Sequence, residues 1–480
     1  MNFAYYFCTR ILFPIKTDPM KHLTKLTLAA AMAALTLLPA QAKKEKVTDA
    51  DGNIIKTGFS FGALPAVSYS TDMGLQMGLI VNLFHYGDGS RYPTYDHSLY
   101  MEGSWYTKGT YVGRIYYDSD RLIKGIHSFI DVGFIGNPVQ DFYGFNGYSS
   151  KYTLTNEASR FCDRIYGEKN STGFYDMSQK RLYLQGDFSG NVGVKNLNWL
   201  GGIGFYNYWI NSLDYETYDK MDPGVATLYE TYRKTGIINE KEADGGFLMT
   251  LRGGLSYDSR NAQTNPSRGI YTEAFLEWAL PGVSESPYLA YSIIHRQYIP
   301  IAKPLTFAYR LAAQGTIGNN RMPFYRMSQM LVPYAKRSMT MGVGGGYTVR
   351  GVLQNRMVGD AVSYANFELR WKVVSFNIGR QSFYVGLNPF FDAGYTLSKV
   401  DIDEAAVSAA LAAAQLDTDK TYPLYSDCFT GENDGLHMSA GCGLKIAMNE
   451  NFVLSADFGK AFKKTDNDGL GVYVQLNYLF

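Results

Sequence analysis

The chain has 480 residues and is 15% aromatic while only 46% hydrophobic, an aromatic excess without a hydrophobic one. Its formal charge of +1 spreads no basic field over the surface, which excludes a binder of nucleic-acid backbones. With 49 glycines, 16 prolines and apolar residues alternating with polar ones, it is neither a helical bundle nor disordered, and past residue 42 no apolar run reaches the roughly 18–20 residues of a membrane-crossing helix. The fold class is all-β, and any membrane crossing is made by strands.

From Met20 the chain reads Lys21, His22 and Lys25, an apolar stretch over 26–38, then Ala40-Gln41-Ala42: the charged, apolar and small-residue parts of a secretory signal. Residues 1–42 are expected to be removed, with Met20 as an alternative start. The apolar stretch is too short for a membrane anchor and runs into Lys43, Lys44 and Lys46. No cysteine follows the cleavage site to carry a lipid. Residues 43–57 make a short periplasmic tail, 15 residues in all, too few for a folded domain. Within it, residues 49–53 imitate a calcium loop, but the glycine comes one position early and Ser60 stands where the closing Glu belongs.

Residues 58–480 read as one barrel domain. Gly58-Phe59-Ser60-Phe61-Gly62 has the G-x-S-x-G spacing of a nucleophile elbow, yet it runs into an alternating strand instead of a turn and helix. About sixteen alternating segments follow along the chain. Tight turns at 257–269 and 298–304 alternate with long connections at 138–177, 211–245, 319–360 and 399–435. Short turns on one side and long loops on the other mark a transmembrane antiparallel β-barrel of an outer membrane. In the last long loop, 401–416 reads as an Ala-rich helix with acidic residues at its start, packing the loop. Gly342-Val343-Gly344-Gly345-Gly346 lacks the strand and helix of a phosphate loop and reads as flexible backbone. Cys162 and Cys428 both fall in long loops and are the one pair considered for a disulfide.

Alternation also sorts side chains between lipid and lumen. Phe367 and Leu369 face one way and Glu368 and Arg370 the other, where they make an ion-pair network. Asp392 shares the lumen face with Asn388, opposite Phe391 and Leu387. His437 and Ser439 have the spacing of an outer-membrane phospholipase dyad, but with Lys445 they take the lumen face, away from a bilayer substrate. Val472, Val474, Leu476, Tyr478 and Phe480 form the apolar face of a final strand that is expected to end at Phe480. No Cys/His cluster has metal spacing, and no cofactor is implied.

Three segments resemble the BamA/TamA superfamily of outer-membrane proteins, the bacterial surface antigen family. They are Val349-Arg350-Gly351 after the glycine run, Phe390-Phe391-Asp392-Ala393-Gly394, and Asp258-Ser259-Arg260-Asn261 with Pro266-Ser267-Arg268-Gly269. The resemblance implies a sixteen-stranded barrel whose long sixth loop folds into the lumen. It makes Arg350 at the loop tip the partner of Asp392 on strand thirteen, places the third segment in the periplasmic turn between strands eight and nine, and makes Phe480 an assembly signal. Val352 departs from the aromatic that the family prefers, and residues 43–57 leave no room for a periplasmic POTRA array, which bears on insertase activity. The expected role is assembly and insertion of outer-membrane proteins or polypeptide translocation, without enzymatic activity. Expected partners are the lipid bilayer, periplasmic or surface proteins and client outer-membrane proteins, with no nucleic acid. The alternative is a barrel that moves nothing and is a platform for surface or periplasmic partners. A solute channel ranks lower because the sixth loop fills the lumen, and lipolysis ranks last.

Overall fold

The computed structural model of the protein describes residues 54–92, 94–153, 173–217, 222–332, 341–379, 381–448, 452–476 and 478–480, with the backbone of 47–48. The leader, the calcium-loop lookalike and Cys162 lie outside these residues. Sixteen antiparallel strands close into a barrel. The first eight are β1 Phe59–Ser70, β2 Gly74–His85, β3 His97–Tyr106, β4 Tyr111–Ile123, β5 Ile126–Asp141, β6 Asp176–Asn191, β7 Leu197–Asn211 and β8 Gly245–Asp258. The second eight are β9 Gly269–Ala279, β10 Tyr288–Ala302, β11 Leu305–Ile317, β12 Ala361–Ile378, β13 Gln381–Ser398, β14 His437–Met448, β15 Phe452–Ala461 and β16 Gly471–Leu476.

The two-residue period decides what each strand buries. On β12, Asn366, Glu368 and Arg370 are buried in the lumen while Leu369 and Trp371 are exposed on the outer face. The four long connections lie at one end of the barrel, between β5 and β6, β7 and β8, β11 and β12, and β13 and β14. In the last of them the helix Glu404–Ala414 is capped by Asp403, whose side chain accepts from the Ala406 N–H at 3.0 Å, and it buries Val407 and Leu411 against neighbouring loops. Phe142, Phe145, Tyr232, Phe324 and Phe429 meet there in edge-to-face and stacked pairs, roofing the lumen with an aromatic cap. Cys428 is a buried free thiol in that cap.

Two boundaries differ from the sequence reading. Residues 298–304 are not a tight turn: β10 runs on to Ala302 and only Lys303 and Pro304 turn, because an irregularity in the ladder between Pro300 and Ala302 absorbs the missing proline N–H. Nor does the last strand end at Phe480. Tyr478, Leu479 and Phe480 lie outside the ladder and are all buried, so the alternation that would set Tyr478 and Phe480 toward lipid stops.

Leu416 is 84% exposed in the 399–436 loop. In a cysteine-free background, Leu416→Cys is expected to react with a membrane-impermeant maleimide on intact cells, and Lys303→Cys only after the outer membrane is permeabilised. The opposite labelling would invert the barrel.

Candidate functional site

Residues 341–360 of the 318–360 connection fold down inside the barrel, where Val343, Val349, Val352 and Met357 pack with Ile294, Ala312 and Tyr364 of the wall. At its tip lies Arg350, fully buried. Its Nε donates to Asp392 Oδ2 at 2.8 Å, its Nη2 to Asp392 Oδ1 at 3.0 Å and its own backbone N–H to Asp392 Oδ2 at 3.1 Å. The remaining arm, Nη1, donates to Glu368 Oε1 at 2.8 Å and lies 3.7 Å from Asp457. The guanidinium carbon sits 3.5 Å from the centroid of the Phe390 ring, which completes the cradle from below. Two further cations balance the three carboxylates: Arg370 bonds Glu368 at 2.9 Å and Lys445 bonds Asp457 at 2.7 Å. Three positive and three negative groups thus share one buried cluster. That neutrality is what permits it, since an isolated buried charge is costly and a paired one much less so.

Small residues let the tip come this close. Gly351 has a φ of +90°, and a Cβ there would lie 2.6 Å from the Gly459 carbonyl carbon on β15. At Gly394, the last residue of the Phe390 motif, a Cβ would meet Met357 Sδ at 2.6 Å. The Gly351 N–H donates to the Tyr473 hydroxyl at 3.0 Å, tying the loop tip to the final strand. Asn366 donates to the Thr348 carbonyl at 2.6 Å and Arg310 to the Tyr347 carbonyl at 2.9 Å, so the segment from Tyr347 to Gly351 is held from β11 through β16. The glycine run 342–346 is buried and fixed instead of flexible, with Gly344 and Gly345 at φ of +112° and +81°.

The other residues that the sequence singled out take structural positions. In the turn between β8 and β9, Asp258 pairs with Arg260 at 2.8 Å and Asn261 accepts from the backbone of Ser267 and Arg268. Ser60 lies within β1, with no helix after it. His437 points into the lumen, with Nδ1 2.6 Å from Asp466 and Nε2 2.9 Å from Asp434, its ring stacked on Tyr148 at 3.9 Å. Both imidazole nitrogens are therefore committed to carboxylates, and neither is free to act as a base toward Ser439. Phe480 is bound inside the lumen, where its backbone oxygen accepts from Arg370 Nη2 at 2.7 Å.

Sequence reasoning missed a second anchor of the same loop. Arg326, on the short helix Phe324–Met327, donates from Nη2 to both carboxylate oxygens of Glu277 on β9, at 2.8 and 2.9 Å, and from Nε to Oε1 at 3.2 Å. Glu277 also accepts from Tyr288 at 2.6 Å. Alternation on β9 sets Glu277 inward, which was the available signal, but nothing in a four-residue helix marks Arg326 as its partner. Asp457 likewise sits on the lumen face of β15, and it meets Lys445 diagonally, since the β14–β15 register pairs Lys445 with Ser455 and Asp457 with Gly443.

A sequence model described as the Omp85 superfamily domain matches residues 144–478. Among solved structures the chain is similar to BamA from Haemophilus ducreyi lacking POTRA domains 1–3, at 15% identity and a TM-score of 0.52, covering 94% of this chain and 78% of that one. It is also similar to CdiB from Escherichia coli, at 11% identity and a TM-score of 0.51, covering 94% and 70%. At these identities the likeness is one of fold. Among curated proteins nothing matches.

Removing one partner from the cluster strands a buried charge, which costs about 3–5 kcal/mol. Arg350→Ala and Asp392→Ala are each expected to lower the thermal midpoint in micelles and expose the loop to protease, and the double variant to cost clearly less than the sum. Arg350→Lys keeps the charge but loses the fork and the ring stack, so it should also loosen the loop. Additive effects would mean that the two side chains do not act as a pair.

The loop also meets Asp72, half-buried in the turn 71–73, which accepts from the Gly346 N–H at 3.2 Å. Burial pushes its carboxyl up from 3.8 to about 6, against the Gly346 bond and the Lys108 charge. An acid raised this way contributes stability that is full below about pH 4 and is lost as pH rises through 6. Once the intrinsic base-catalysed exchange rate is divided out, hydrogen-exchange protection over 341–357 should therefore be greater at pH 5 than at pH 8, and Asp72→Asn should flatten that difference.

Proposed function

The chain belongs to the Omp85 superfamily, and from that membership we propose that it works as an integral barrel of the bacterial outer membrane in the assembly of other membrane proteins. Client polypeptides pass sideways, through the seam between β1 and β16, and no covalent step or cofactor is involved. The observation that carries this reading is the seam itself. Among the described residues β16 pairs with β1 only at Tyr473–Ser70 and Val474–Tyr69, extended by the Thr71 N–H to the Val472 carbonyl at 3.0 Å. The other edge of β1 pairs with β2 without a break from Phe59–His85 to Ser70–Gly74.

Backbone groups of alternate residues point to opposite neighbours. Gly58 donates toward Gly87 beside β2 and Thr71 toward β16, so the odd-numbered residues from Phe59 to Val67 turn their backbone groups to the seam. In hydrocarbon each such unpaired group costs several kcal/mol and favours pairing with an incoming strand. An axial route has less support, because the described residues of the 318–360 loop occupy the lumen on two arginine anchors beneath the aromatic cap.

A second reading, a platform that moves nothing, draws on the packed cap and on Leu416 and Leu424, which it exposes. The two separate on a locked seam. With the native cysteines replaced, a disulfide between Tyr69→Cys and Val474→Cys should depress the levels of other outer-membrane barrels, and a reductant should restore them. Normal levels with the seam fully crosslinked would favour the platform.

A further inference from the structure

We propose that Tyr298, Arg310 and Arg370 form a lumenal receptor for the side chain of Phe480, a latch in cis that acts with Pro65 to hold the lower half of the seam unzipped. This holds whether or not clients pass through the seam, since it concerns where the last residues of β16 lie. Continued in its observed register, β16 would set Leu476 opposite Val67, Tyr478 opposite Pro65 and Phe480 opposite Ala63. Instead Tyr478, Leu479 and Phe480 lie against side chains of β10, β11 and β12. Those strands lie far round the barrel from β1, so docking and zipping exclude one another.

The receptor is built from ring contacts. Leu479 and Phe480 pack with Tyr298 and Ala308. The Arg370 guanidinium carbon lies 4.9 Å from the Phe480 ring, 4.4 Å from Tyr478 and 5.3 Å from Tyr298, while that of Arg310 lies 5.0 Å from Phe480. Arg370 also donates to the Phe480 backbone oxygen at 2.7 Å, and the Tyr478 hydroxyl meets that of Tyr384 at 3.0 Å. Docking is nevertheless incomplete: Arg370 Nη1 and the Tyr298 hydroxyl are buried without a hydrogen-bond partner among the described residues. An imperfectly satisfied site releases its occupant more readily than a fully paired one.

Pro65 acts from the other side. As an odd-numbered residue of β1 it would turn its N–H to the seam, and as a proline it has none. The missing donor therefore costs the β1–β2 ladder nothing and removes one bond from a zipped seam, opposite Tyr478. Cradle and proline together bias the last residues toward the lumen.

The test is a disulfide that only the zipped register allows. In a background without native cysteines, Leu64→Cys and Leu479→Cys face each other when β16 continues along β1. With cradle and proline intact, oxidation should give only background crosslinking. Replacing Tyr298 and Arg310 together by Ala should raise the yield about tenfold, adding Pro65→Val should raise it further, and Tyr298→Phe, which keeps the ring, should leave it at background. Phe480→Ala removes the occupant instead of the receptor and should give the same rise, which covers the case in which the cradle variants do not fold. Heat-modifiable gel mobility confirms a folded barrel in each variant. Ready crosslinking with the cradle intact would overturn the proposal, and so would background crosslinking in the folded Pro65→Val variant lacking either cradle or ring.

Discussion

The arrangement of the molecule depends on one buried arginine. A long loop has no reason to enter a barrel lumen unless something there compensates its lost hydration, and at Arg350 every guanidinium arm finds a carboxylate while the plane lies on Phe390. Because Arg370 and Lys445 neutralise the remaining negative charge, the cluster as a whole carries none across the low-dielectric interior. From that fixed point the Gly351 N–H reaches Tyr473 and holds the upper part of β16 to the loop. Among the described residues the register of β16 with β1 does not extend below Val474.

The two ends of the seam therefore have different physical owners. The upper end is stabilised by ladder pairing and by the plug, through Tyr473 and through Asp72 on the turn 71–73, which bonds Gly346. The lower end is claimed by aromatic and cationic side chains on the far wall, which take Tyr478, Leu479 and Phe480 out of register. Weakness confined to one half of a seam differs from a barrel that is loose everywhere. The rest of the wall keeps its ladders, and one edge alone is left to pair.

Much of this was legible from residue types and their spacing. The period of two placed Glu368, Arg370 and Asp392 in the lumen, where the structure has them, because each strand has one side against lipid and cannot slip register without turning charges outward. The long and short connections were legible for a similar reason, since polar and glycine-rich runs cannot lie in a hydrocarbon wall. What escaped were choices settled by tertiary contact. Tyr478 and Phe480 continue a local alternation perfectly well as strand residues, and only the cradle on β10–β12 draws them inward. Arg326 gives no local sign of reaching Glu277 from a four-residue helix. Pro300 looks like a turn until the irregularity beside it is seen.

The account is tested most directly by an experimental map of the protein in a lipid nanodisc, at a resolution that shows side chains in the lumen. It predicts density for the Arg350 guanidinium lying on the Phe390 ring within hydrogen-bonding distance of Asp392 and Glu368. A loop tip lying in external solvent, or a lumen in which Asp392 faces no arginine, would contradict it.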